Sequence, residues 1–251
     1  MSVEHPITPG VAYGRPQEGH LYIGEQIAGH MADEVHSAFR AFLHDPDFPC
    51  LGAKSIVNQS SYRFALYAEV GEPESTRQLA TDLYGFIEER PSIEGEFTSY
   101  IACFREPKVI TPKQFEARLW AQLSALQEID SARHAWAKGF SSNPASADFS
   151  FSLGGHAFFI VGLAPSSERW ARRFPWPVLV FNDHAQFERL RSESRFDRLK
   201  DTIRERDERL HGSANEMLAD FGAHSEARQY AGRKVGPKWR CPVEFTRRRD
   251  E

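Results

Sequence analysis

The sequence predicts an α+β domain, in which a mostly antiparallel central sheet carries helices packed on it. Apolar runs of strand length alternate with segments whose apolar residues recur at helical spacing. The order reads helix, strand, helix, strand, helix, strands, helices. The Gly154-Gly155 pair separates two strand-like runs at hairpin spacing, which favours antiparallel pairing. The chain has 251 residues, 41% hydrophobic and 26% charged, enough for one full core and too apolar for wholesale disorder.

Residues 1–25 read as an extended arm, 26–245 as a single domain and 246–251 as a charged tail that frays. Met31 to Leu43 is helical, with Val35, Phe39, Phe42 and Leu43 on one face, and the run Asp45 to Cys50 ends it through two prolines. Tyr62 to Val70 is a strand bounded by Gly71. Ser75 opens a helix with Leu79, Leu83, Phe86 and Ile87 inward, and Pro91 closes it. Phe97 to Phe104 is a second strand. Thr111-Pro112 opens a helix to about Ile129, as an N-cap followed by proline does. Ser141 to Ala147 is the clearest loop. The runs Phe149 to Leu153, Ala157 to Leu163 and Val178 to Phe181 are strands, and His184 to Arg191 and Phe196 to Leu210 are polar helices.

Composition excludes several classes. The net charge of −4 gives no basic face, so nucleic acid is not an expected partner. No apolar run approaches the roughly 20 residues of a membrane span. The first 19 residues lack the charged start and apolar stretch of a signal peptide, which makes the cytoplasm the expected compartment. The three cysteines, Cys50, Cys103 and Cys241, have neither zinc-site nor disulfide-framework spacing. The nucleophile elbow, the phosphate-binding loop, the dinucleotide fingerprint and the zincin helix are all missing from the sequence. Nothing speaks directly to assembly; chains of this size commonly form symmetric dimers, so a homodimer is the assembly to consider.

His184 is the first candidate for chemistry. It follows the buried run Val178 to Phe181 at a helix start, with Glu188 four residues on. Its imidazole suits an iron ligand whose other nitrogen is held by an acceptor; the plainer alternative is a helix-start histidine bonded to local backbone. His156 follows the two glycines, which suit either a close approach to a flat ligand or a tight turn. Cys50, after Phe48-Pro49, offers a thiolate ligand or packs as an inert small hydrophobe, and Cys241 is read in the same way. Arg169, Arg172, Arg173 and Arg228 present guanidinium forks suited to carboxylates. The mixed charges from Arg204 to Arg209 read as a solvated helix face.

These residues resemble the YqcI/YcgG family, also described as FPC/CPF motif-containing proteins. The early Phe-Pro-Cys is Phe48-Pro49-Cys50, and the late Cys-Pro-Phe stands as Cys241-Pro242-Val243. Between them the resemblance covers Phe149 to Gly155, Ala157-Phe158-Phe159, Gly162-Leu163, Arg172-Arg173-Phe174 and Leu179 to Asn182. It continues through His184, Gln186-Phe187-Glu188, Leu190-Arg191, Arg206-Asp207, Asn215, Met217, Phe221-Gly222 and Ser225 to Tyr230. Three positions depart from the pattern: Ala164-Pro165 replaces His-Pro, Glu216 replaces the proline of Asn-Pro-Met, and Val243 replaces phenylalanine. Ala164 cannot supply a ligand, which leaves His184 as the best-placed histidine of a family motif.

The resemblance implies a function for which several members are known: heme-dependent N-oxygenation of a guanidine or amine nitrogen, as in guanitoxin assembly and arginine or lysine hydroxylation. It implies heme b in a Phe-lined pocket, with dioxygen or hydrogen peroxide as oxidant and a small guanidine or amine as substrate. His184 is then the expected axial ligand, with His156 and Cys50 next, and Arg172 or Arg228 pairs with a propionate. Glu226 is the expected carboxylate that holds and deprotonates the substrate, because the neutral nitrogen is the better nucleophile. The alternatives are a heme-binding or gas-sensing protein without turnover, and a non-heme protein of the same fold.

Overall fold

A computed structural model describes residues 11–213, 215 and 224–245. The first ten residues of the expected arm, the expected tail 246–251, and Met217 and Phe221-Gly222 of the family motifs lie outside the described residues. A three-stranded antiparallel meander comes first: β1 (Arg15–Gln17), β2 (His20–Ile23) and β3 (Gln26–Ile27). Helices α1 (His30–His44) and α2 (Leu51–Gln59) lead into β4 (Tyr62–Glu69), α3 (Pro73–Glu89), β5 (Ser99–Glu106) and α4 (Pro112–Asp130). Strands β6 (Phe151–Leu153), β7 (His156–Leu163) and β8 (Val178–Asp183) follow, then α5 (His184–Ser192), α6 (Phe196–His211) and the single turn α7 (Ala227–Tyr230).

The main sheet has the order β4-β5-β8-β7-β6. The architecture is α+β as the sequence predicts, and the sheet is mixed rather than purely antiparallel. Strands β4 and β5 run parallel while the other pairings are antiparallel. The parallel pair follows from α3, which carries the chain back over the sheet between the two strands, a connection too long for a hairpin.

Side chains alternate across each strand and so build two cores. Tyr67, Tyr100, Phe158 and Phe181 face α3 and α4 on one side, with Leu83, Leu119 and Leu123 among the helical residues that meet them. Phe64, Ile101, Val178 and Val180 face α1 and α2 on the other, against Val35, Phe39 and Ile56. Strands buried on both faces read as nearly continuous apolar runs. Helix α4 starts with a reciprocal capping box between Thr111 and Gln114.

Two elements depart from the sequence expectation. The stretch read as an extended arm forms the meander, buries Leu21, and reaches the outer edge of β4 through paired backbone hydrogen bonds between Gly14 and Phe64. That contact covers part of an otherwise open strand edge. Helix α2 is the second departure, in a stretch where the sequence predicts no element. Its nine residues include Gly52, bury only Ile56 and Val57, and are capped by the Cys50 sulfur, which accepts from the Ala53 amide at 3.5 Å. Cysteine is outside the usual N-cap set.

Gly162 in β7 lets α7 and α4 close on the sheet. A Cβ at that position would stand 2.8 Å from both the Tyr230 carbonyl oxygen and Leu119 Cδ1. Gly162→Ala is therefore expected to destabilise the fold by about 1–3 kcal/mol through overpacking, read as a lowered urea midpoint at unchanged m-value.

His36 in α1 is fully buried, with Nε2 2.8 Å from the Tyr62 hydroxyl oxygen and its ring edge-on to Phe64. Burial pushes its imidazole from the usual 6.5 down to about 4. The unfolded chain takes up the proton first as pH falls, so the native state loses stability there. Unfolding free energy is expected to be insensitive to this group above pH 6.5 and to fall between 6.5 and 4. The slope approaches about 1.4 kcal/mol per pH unit for one proton, and His36→Gln should remove it in a urea series over that range.

Candidate functional site

Strand β8 delivers Asp183 and His184 to one end of the sheet. Asp183 caps α5, its Oδ1 accepting from the Ala185 amide at 2.6 Å, and it pairs with Arg90 from the turn after α3. His156 stands beside this pair, its Nδ1 4.0 Å from Asp183, with 41% of its side chain exposed. Burial, with the Arg90 charge, holds the His156 imidazole below its ordinary value. The preceding glycines form the hairpin loop, with φ of 60° at Gly154 and 75° at Gly155. The close approach at Gly154 is to the Ile87 side chain of α3, 2.8 Å from a Cβ built there.

His184 is buried, and its Nε2 lies 2.8 Å from Oε2 of the equally buried Glu226. Glu226 Oε1 accepts from the Tyr230 hydroxyl at 2.5 Å, and that hydroxyl accepts from the Phe151 amide at 3.1 Å. The rings of Phe140 and Phe187 lie 4.9 and 5.9 Å from the imidazole. Thus the histidine and glutamate singled out separately in the sequence form one buried pair that ties α5 to α7. Glu188, four residues from His184, turns instead to Arg191 at 2.5 Å. Neither large cavity is lined by His184, His156 or Glu226.

An apolar cavity of about 260 Å³ lies on the α1–α2 side of the sheet. Phe48, Phe97, Phe159 and Phe187 line it together with Cys50 and Arg172. Burial pushes the Cys50 thiol up, while the Ala53 and Gly52 amides and the Arg172 charge pull it down. Arg172 donates from Nη1 to the Gly162 carbonyl at 3.0 Å and makes no ion pair among the described residues. Withdrawal from water pushes its guanidinium down to about 10. Arg169 is paired with Asp207 of α6 at 2.7 Å, and Arg206 donates to the carbonyls of Pro46 and Phe48, fixing the Phe-Pro-Cys turn against α6. The structure thus brings Cys50 and Arg172, 122 positions apart, to one aromatic wall.

A second cavity, of about 720 Å³, opens beneath the C-terminal segment and is lined by Arg228, Trp239 and Cys241, with the loop at Asn143-Pro144 on its rim. Burial pushes the Cys241 thiol up to about 12. Cys241 and Val243 pack on the α3–α4 core and Cys50 on the α1–α2 core, so the two cysteine motifs lie on opposite sides of the sheet. Arg172 and Arg228 accordingly serve different cavities. Among the described residues no group of three or more His, Cys, Asp or Glu is placed to hold a metal ion, and no helix is long and apolar enough to cross a membrane.

Tyr230 is the keystone of the buried pair, since it supports Glu226 and stacks on Trp120 at 5.4 Å. Tyr230→Phe keeps the ring and removes one hydroxyl that donates and accepts. It is expected to lower stability by about 1–3 kcal/mol, and a double-mutant cycle with Glu226→Gln should show non-additivity in urea unfolding.

Residues 39–244 match the YqcI/YcgG family. A relative described as an uncharacterized protein YqcI, from Bacillus subtilis (strain 168), is 27% identical over 158 residues, covering 60% of this chain and 60% of that protein. The chain thus spans less than two thirds of that relative's length. No solved structure matches. The family match runs from α1 through the Phe-Pro-Cys turn, both cavities and the His184–Glu226 pair, and the chain belongs to the YqcI/YcgG family.

Proposed function

We propose that the chain is a heme-dependent oxygenase that hydroxylates a guanidine or amine nitrogen of a small amino-acid-like substrate. In this reading heme b is held at the apolar cavity, which at about 260 Å³ is smaller than the macrocycle and widens to admit it, with Cys50 rather than His184 as the iron ligand. The observation that carries it is the convergence of one thiol and one guanidinium without a carboxylate partner on a cavity walled by phenylalanine rings. That donor set suits a flat apolar group bearing carboxylates. His184 supports the reading less well, because its Nε2 faces Glu226 and it lines neither cavity.

The chain's own residues have definite tasks in this reading. Cys50 is the cap of α2; burial pushes its thiol up, and the Gly52 and Ala53 amides at the positive end of the helix oppose that shift and point at the sulfur that would bind iron. Arg172 would balance a propionate, and its bond to Gly162 holds the fork in place. The Phe48, Phe97, Phe159 and Phe187 rings exclude water from the cavity. Bound heme would supply activation of dioxygen or hydrogen peroxide for oxygen transfer to the nitrogen. The His184–Glu226–Tyr230 chain holds β8, α5 and α7 in register and is a positioning device rather than a ligand set.

The full chain, expressed with a heme precursor, is expected to show a Soret band and the red-shifted ferrous–carbonyl band of a thiolate ligand. Cys50→Ala should lose the thiolate signature, His184→Ala should keep it, and Arg172→Gln should weaken hemin binding about tenfold. A colourless protein that also ignores added hemin overturns heme binding. An unchanged spectrum in Cys50→Ala returns the ligand to His184 or His156. Incubation with arginine, lysine and related amines plus peroxide should give a product heavier by one oxygen atom; its absence with heme bound leaves a heme-binding or gas-sensing protein without turnover.

A further inference from the structure

We propose that the C-terminal cavity is a second ligand site that binds a small planar organic anion, a carboxylate or a phosphate ester, through Arg228 and Arg240 beside the Trp239 ring. This goes beyond the heme reading and does not depend on it, because the cavity lies on the other side of the sheet from Cys50 and Arg172.

Charge comes first. Arg228, Arg240 and Glu244 are the lining residues charged at neutral pH, so two guanidinium groups meet one carboxylate. Neither arginine makes an ion pair among the described residues. Guanidinium groups without a carboxylate partner, converging on one concavity, raise the local concentration of anions and reject cations.

Arg228 and the Trp239 ring are also held in place. Arg228 Nη2 donates to the Gly236 carbonyl at 2.9 Å and lies within 3.4 Å of the Val235 carbonyl. Its guanidinium carbon sits 5.9 Å from the centre of the Trp239 ring. Trp239 is pinned in turn, since its Nε1 donates to Glu116 Oε1 at 2.9 Å and Glu116 Oε2 accepts from Arg233 at 2.5 Å. Glu116 is buried on α4, so the chain of contacts is anchored in the core. The opposite wall is fastened by the Ser225 hydroxyl, which donates to the Pro144 carbonyl at 2.6 Å.

Shape sets the class of ligand. The indole, with the Arg228 guanidinium 5.9 Å from its centre, offers a flat face that suits a planar body, and about 720 Å³ exceeds what a bare inorganic ion fills. The volume falls in the range of about 300–1,000 Å³ typical of small-molecule sites. The Ser141 to Ala147 loop, which has no place in the apolar cavity, contributes the rim at Asn143, Pro144 and Ala145.

Isothermal titration of the full chain with benzoate, phenyl phosphate, inorganic phosphate and benzamidine tests the site. Benzoate or phenyl phosphate should bind, with inorganic phosphate and the cationic benzamidine at least about tenfold weaker. Arg228→Gln and the exposed Arg240→Gln should each weaken the organic anion about tenfold, Trp239→Leu should do likewise, and Arg172→Gln should have no effect. Melting curves identify any variant that fails to fold, and Arg240→Gln, on an exposed side chain, keeps the test decisive if Arg228→Gln does so. Binding by neither organic anion, equal binding of benzamidine, or full affinity in both arginine variants overturns the site. Equal binding of inorganic phosphate overturns the planar class. Loss of binding in Arg172→Gln places the anion in the apolar cavity and overturns the proposal. None of these results depends on whether the chain binds heme.

Discussion

Strands β5 and β8 occupy the middle of the sheet, and neither leaves a face to water. Tyr100, Ala102 and Phe104 pack toward α3 and α4, while Ile101 and Cys103 pack toward α1 and α2. A sheet buried in this way must be covered by helices on both sides, and the crossover through α3 that makes β4 and β5 parallel supplies part of that cover. One cavity lies against each core. The apolar cavity opens between α1, α2 and the sheet, the other between α7, the C-terminal segment and the loop at 143–147, and the two share no lining residue.

Several buried polar groups on the α3–α4 side join partners remote in sequence to partners one helical turn away. Asp82 on α3 accepts from the Tyr67 hydroxyl at 2.6 Å, the Ala12 amide at 2.7 Å and Gln78 at 2.9 Å, which docks the start of the described chain onto the helix. Burial pushes its carboxyl up, and these hydrogen bonds oppose the shift. The His184–Glu226–Tyr230 chain does the corresponding work farther along, where Tyr230 packs in the same α3–α4 core. Buried groups of this kind are stable only when their partners are present, so they bind separate segments into one unit.

Arg172 and Arg228 show how the same side chain acquires different meaning from its surroundings. Arg172 hangs from a single turn beside the end of β7, bonded to Gly162 and lining the cavity with phenylalanine rings. Arg228 lies against an indole and two backbone carbonyls in an open polar hollow. Arg172 is withdrawn from water, which pushes its guanidinium down, whereas Arg228 lies in a hollow with a polar lining.

The sequence by itself determined the local elements and the residue types available for chemistry. Helical spacing at Val35, Phe39 and Leu43, the Thr111 cap with Pro112, and the glycine pair at 154–155 are statements about neighbours within a few residues, and the structure matches them. Helix α2 escaped because Cys50 caps it and only Ile56 and Val57 are buried, leaving a weak periodic signal. The choice of partners belonged to the tertiary structure. His184 could be placed at a helix start, but its contact is Glu226, 42 residues away and on a different element, not Glu188 one turn on. The meeting of Cys50 with Arg172, and the separation of Arg172 from Arg228, were likewise decided by which face of the sheet each segment covers. Periodicity says which side chains share a face; only the packing of several elements says what that face meets.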